Sequence, residues 1–128
     1  MLAPCLKKCG ITNYFAFDMS IPQMKVYRDS GITYFTGQSD IQPSPVLYDG
    51  AAGIWADCFC SDAWITNEIV RSHTSTGRKV CFVSPELHGR DYLQFWDRIR
   101  TFGDGGSLML CTDYPNEAAE FFRRYQHD

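Results

Sequence analysis

The chain has 128 residues, of which 45% are apolar, 21% charged and 15% aromatic, and its formal charge is −3. That composition excludes a disordered or collagen-like chain, and a small negative charge leaves no basic footprint for nucleic acid. No apolar run reaches the roughly 18–20 residues of a membrane span, so the sequence reads as one domain over 1–128 with no membrane span and no nucleic-acid partner.

In chain order, five short runs rich in aromatic and β-branched residues predict strands: Tyr14–Phe17, Ile32–Thr36, Gly53–Ala56, Val80–Val83 and Leu108–Cys111. They are too short for helices, and their unbroken apolar character is that of strands buried on both faces of a parallel sheet. Between them lie helix signals. Ser20, Pro22, Met24 and Tyr27 predict a short helix ending near Gly31, and Ile41–Gly50, with Pro43 and Pro45, reads as loop. Ile65, Ile69 and Val70 form a stripe opened by Ser61 or Asp62 and closed by the Thr74–Gly77 turn. Tyr92, Phe95, Trp96, Ile99 and Phe102 share one helical face with Asp91 as N-cap. Ala118, Phe121, Phe122 and Tyr125 do the same after Pro115 and Asn116. Gly103-Asp104-Gly105-Gly106 precedes a strand rather than following one, so it is a turn and not a phosphate cradle.

Strands alternating with helices imply a parallel α/β sheet of five βα units. By length, an open doubly wound, flavodoxin-like sheet fits, whereas a full (β/α)8 barrel takes about 250 residues. The six cysteines, at 5, 9, 58, 60, 81 and 111, lack zinc-type spacing. They read as reduced structural thiols of a cytoplasmic protein.

Each unit carries an acid at or just past the end of its strand: Asp18, Asp40, Asp57, Glu86 and Asp113, with Gln38, Ser84 and His88 beside them. Functional groups of parallel α/β folds gather at that edge. Converging carboxylates repel unless a cation compensates, and Mg²⁺ or Ca²⁺ is the simplest one. The plain alternative is that these acids are helix N-caps and turn formers. Asp57, between Trp55 and Phe59, is the best single candidate. His88 suits acid–base work or ligation, and Arg90 either grips phosphate or pairs with Asp91 or Glu86. His73, in the turn after a helix, reads as a capping residue. His127 carries no signal. No nucleophile-elbow pattern and no Cys/His pair in a catalytic context point to a serine or cysteine hydrolase.

Leu110-Cys111-Thr112-Asp113-Tyr114-Pro115-Asn116 is similar to the Thr-Asp-x-Pro ending of the last strand in glycerophosphodiester phosphodiesterases. Ile65–Val70, His73, Gly77 and Val80–Val83 resemble the penultimate helix and strand of that family. The resemblance covers roughly residues 53–118. It implies a partial TIM barrel of the phosphatidylinositol-phospholipase-C-like superfamily, of which this chain forms the later five βα units. Met1 then begins inside a helix covering Leu2–Cys9. The family's catalytic histidine pair and most of its metal ligands lie on first strands without counterpart here. Its Trp-Thr-x-Asn is replaced by Phe82-Val83-Ser84-Pro85-Glu86.

The implied function is metal-assisted hydrolysis of a glycerophosphodiester or phospholipid-derived substrate. Asp18, Asp57 and Glu86 are the candidate ligands of Mg²⁺ or Ca²⁺, and His88 and Asp57 the candidate catalytic groups. Gln38, Arg90 and Asp113 are the candidate substrate contacts. An open partial barrel calls for a second copy of itself or a partner chain to complete it. The alternative is a non-catalytic binding or regulatory module whose acidic rim holds Mg²⁺.

Overall fold

A computed structural model describes Cys5, Leu6, residues 8–103 and residues 105–125. His127 and Asp104 lie outside the described residues, as does part of the expected Leu2–Cys9 helix. Within the described part of that segment the Cys9 amide bonds the Cys5 carbonyl at 3.0 Å, a helical hydrogen bond.

Among the described residues, four strands form one parallel sheet in sequential order: β1 (Phe35–Gln38), β2 (Gly53–Ala56), β3 (Lys79–Val83) and β4 (Leu108–Cys111). Beyond the N-terminal segment, the α-helices among the described residues are α1 (Ile21–Asp29), α2 (Asn67–Thr74), α3 (Leu93–Ile99) and α4 (Pro115–Tyr125). The expected class, parallel α/β, is the one observed, but five strand units are not. The first run, Tyr14–Phe17, contributes a single parallel bridge from Ala16 to Tyr34 beside β1. Asp18 then takes a left-handed backbone (φ 57°) that turns the chain away before a ladder can extend.

The described residues do not form a closed barrel either, because their four strands and one bridge leave an open sheet. The doubly wound alternative fails on topology. Its strand order reverses at a switch point and its helices cover both faces, whereas this order runs straight through.

Strand pleating sorts the side chains. The registers Thr36–Ile54–Val80–Leu108 and Gln38–Ala56–Phe82–Leu110 make one face. On it Ile54, Ala56, Val80 and Phe82 pack with Val70 of α2, with Phe95, Trp96 and Ile99 of α3, and with Ala118 of α4. The opposite face bears stacked rings: Phe15 on Phe35, with centroids 4.0 Å apart, and Phe17 on Trp55, at 3.9 Å. Phe17 stays 45% exposed there. β3 is buried along all but its first residue, whereas β4, with no partner beyond β3 among the described residues, is only half-buried. The expectation of burial on both faces therefore holds in the sheet centre and fails at its edge.

Local signals explain the helices. Ser20 caps α1 in a reciprocal capping box with Gln23, Pro22 sits in the first turn, and Gly31 (φ 73°) follows its end. α2 starts later than expected. Thr66, not Ser61 or Asp62, is its N-cap, accepting the Ile69 amide at 3.2 Å. Asp62 is instead bonded to Arg98. Asp91 does not cap α3, whose N-cap position is Tyr92 without a side-chain cap bond. Residues 41–47 form the expected loop, ending in a short 3₁₀ turn at Tyr48–Gly50.

Candidate functional site

Parallel pairing brings every strand's C-terminal end to the same edge, and there the acids meet their partners. Each of three acids reaches the loop of the next strand. Asp40, after β1, accepts backbone amides of the loop after β2: Phe59 at 2.9 Å, Cys60 at 2.8 Å and Ser61 at 3.1 Å. Asp57, after β2, meets His88, after β3, with Oδ1 2.7 Å from Nε2. Glu86, after β3, accepts the Thr112 hydroxyl and the Asp113 amide, the latter at 2.9 Å, both after β4. The acids are therefore braces between neighbouring loops, a role distinct from N-cap or shared cation site.

The electrostatics follow from those bonds. Desolvation pushes the Asp40 carboxyl up, but the amides of Cys60, Phe59 and Ser61 outweigh it and hold it below the ordinary value. For Glu86, desolvation is likewise outweighed by the Ser84 and Thr112 hydroxyls and the Asp113 amide. Burial pushes the Cys58 thiol to about 11 and the Cys81 thiol to about 12, so neither offers a thiolate nucleophile near neutral pH.

Asp57 and His88 form the chemically capable pair. Their side chains are 13% and 24% exposed, enough shelter to fix geometry and enough access to meet a small molecule. An ionised carboxylate only accepts, so Nε2 carries the proton toward Asp57 and Nδ1 is the nitrogen left for proton transfer. Asp57 Oδ1 also accepts the Cys58 amide at 2.8 Å, and the Asp57 carbonyl accepts the Trp64 indole N–H at 2.9 Å. The half-exposed Phe59 ring lies 5.0 Å from the imidazole.

The other candidates are distributed differently. Arg90 donates to the carbonyls of Phe59 (2.8 Å) and Cys58 (2.6 Å), which engages the guanidinium in holding the loop after β2. Gln38 faces inward, accepting from His73 and donating to the Pro43 carbonyl at 2.9 Å. His73 is buried between Gln38 and Tyr48, and is not simply a capping residue. Ser84 is fully buried and accepts the Trp96 indole N–H at 2.9 Å. Asp113 and Asp18 are exposed.

Asp18, Asp57 and Glu86 do not fit the expected metal set. Among the described residues no three His, Cys, Asp or Glu side chains are grouped to hold an ion. The Asp57 and Glu86 carboxylates also serve different loops.

Sequence reasoning missed the role of Asp40 as loop brace, the Trp64–Asp57 bond and the Thr112–Glu86 contact. Each joins residues 7 to 26 positions apart, and only the Asp57–Trp64 bond lies within one loop.

No family model matches the chain, and no curated protein or solved structure matches it significantly. No helix among the described residues is long and apolar enough to cross a membrane.

Proposed function

We propose that this chain is a phosphodiesterase-like (β/α)-barrel segment that hydrolyses a small glycerophosphodiester or phospholipid-derived substrate. The observation that carries the reading is the 2.7 Å pair of His88 and Asp57 at the C-terminal edge of a parallel sheet. The sequential strand order supports it, being that of neighbouring strands in such a barrel.

Water attacks phosphorus and the bond to the leaving oxygen breaks. His88, as imidazolium, passes its Nδ1 proton to the departing alkoxide while the Asp57 carboxylate balances the ring's charge. The proton of the attacking water passes to solvent. The products are a phosphomonoester and an alcohol. No step is routed through a metal ion, because the carboxylates of the described residues form no ligand set. Asp113, exposed beyond β4, is the substrate contact that can accept from a glycerol hydroxyl, whereas Arg90 and Gln38 act through the loops they hold.

The half-exposed Phe17–Trp55 stack and the half-buried edge strand β4 support completion by a second copy or a partner chain. Six free cysteines support a reducing, cytoplasmic setting.

The test is hydrolysis of bis(4-nitrophenyl) phosphate and glycerophosphocholine by wild type, His88→Ala and Asp57→Asn. Turnover reduced roughly 10²–10⁴-fold in both variants, with intact thermal melts, supports the reading. A wild type without turnover, or variants as active as wild type, overturns it.

A further inference from the structure

The loop after β2 is gripped from both sides. From the β1 side, the Asp40 carboxylate takes the amides of Phe59, Cys60 and Ser61. From the β3 side, the Arg90 guanidinium takes the carbonyls of Cys58 and Phe59. Residue 59 is held by both grips, amide to Asp40 and carbonyl to Arg90. That loop begins with Asp57 and carries Phe59, the carboxylate and the ring that meet His88. Arg90 also lies two residues beyond His88, so one grip links the two partners' own loops.

We propose that Asp40 and Arg90 are positioning residues for the His88–Asp57 pair, holding the loop after β2 so that Asp57 stays bonded to His88 Nε2. The physical ground is the number and direction of the bonds. Three amides converging on one carboxylate fix the loop's path more tightly than a single bond would, and a charged acceptor strengthens each of them. Arg90 supplies two donors in a rigid fork on the opposite side. With the grip removed, residues 58–61 have neighbouring conformations open to them, and the Asp57 carboxylate moves with them. The proposal rests on the reading of His88 and Asp57 as the proton-transfer pair, but the contact itself can be observed without turnover.

The experiment compares wild type, Asp40→Ala, Asp40→Asn and Arg90→Lys by ¹⁵N-imidazole NMR and by bis(4-nitrophenyl) phosphate turnover. Asn retains one carbonyl oxygen but turns an NH₂ group toward backbone donors, so its effect falls between wild type and Ala. The Nε2–H signal of His88, identified by its loss in His88→Ala, is expected to weaken or shift in Asp40→Ala and, less, in Asp40→Asn and Arg90→Lys. The His73 ring, bonded to Gln38 and Tyr48, serves as internal control and keeps its signal. Turnover is expected to fall about 10- to 100-fold in Asp40→Ala with KM little changed, the scale of a small misplacement of a reacting group. An unaltered His88 signal in folded Asp40→Ala overturns the positioning role. Should Asp40→Ala fail to fold, Asp40→Asn and Arg90→Lys decide by the same signal. A wild type without turnover overturns the catalytic reading alone, and the NMR comparison still decides the grip.

Discussion

Nε2 of His73 lies 2.8 Å from Oε1 of Gln38, and the opposite ring nitrogen lies 2.7 Å from the Tyr48 hydroxyl. An amide oxygen only accepts, so Nε2 carries the proton and Tyr48 donates to Nδ1. The ring is buried and neutral, and α2, β1 and the 3₁₀ turn at Tyr48–Gly50 are pinned together through it. Burial first, and then the positive charge of Arg78, holds its pKa below the ordinary 6.5.

The unfolded chain therefore binds a proton on this ring at pH values where the folded chain does not. The stability this group contributes is complete above about pH 6.5 and is lost as pH falls toward the folded value. Thermal melts of wild type are expected to decline as pH drops from about 6.5 to 5. His73→Gln is expected to be less stable at pH 7 but flatter over that window. Equal slopes in the two proteins would refute the assignment.

Gly53 opens β2 where the backbone and a ring come closest. A Cβ there would sit 2.6 Å from the Lys79 carbonyl oxygen and 2.6 Å from the edge of the Phe35 ring, itself stacked on Phe15. Gly53→Ala is expected to destabilise the chain by about 1–3 kcal/mol through overpacking. Gly37, on the adjacent strand, has nothing within 4 Å of its position for a Cβ, and Gly37→Ala is expected to be neutral or slightly stabilising. Urea midpoints of the two variants make the comparison, and equal effects would contradict the packing.

Glu86 is held ionised by hydroxyl and amide donors that outweigh its desolvation. A carboxyl with a depressed pKa contributes stability that is present above its ordinary value of 4.5 and lost as pH falls through the folded value. Glu86→Gln is expected to cost roughly 1 kcal/mol at pH 7 and to flatten the acid limb of stability below about pH 4.5. Urea titrations at pH 7, 4 and 3 check both. A gain in stability at pH 7 would show instead that the carboxylates mainly repel one another.

The Asp40, Asp57 and Glu86 carboxylates at the sheet edge are expected to give no thermal response to divalent ions, because each of the three is engaged with a separate loop. A cation site on native protein alone would add roughly 2.7 kcal/mol at a free ion concentration 100 times its dissociation constant. Melts in EDTA, Mg²⁺ and Ca²⁺ should coincide. A rise of several degrees with either ion, abolished in Asp57→Asn, would restore the acidic rim as a metal site.

Much of the fold was legible because its signals are local. Gly53–Ala56 and Leu108–Cys111 are strands over the residues their composition marked, and Ser20 with Pro22 and Gln23 states the start of α1 in its own chemistry. Asp57 and His88 stood out as single residues by type and by place after a strand. Their pairing did not, since 31 positions separate them and only the adjacency of β2 and β3 brings them within 2.7 Å. The same reason hid the purpose of the acids. Asp40, Asp57 and Glu86 were visible as a pattern, but which amide, hydroxyl or imidazole each accepts depends on which loop lies alongside. Composition and spacing determined short parallel strands with an acid past each end. Only the sequential order of the sheet decided that Asp40, Asp57 and Glu86 tie one loop to the next, because a carboxylate's partner is set by what lies within about 3 Å of it and not by what neighbours it along the chain.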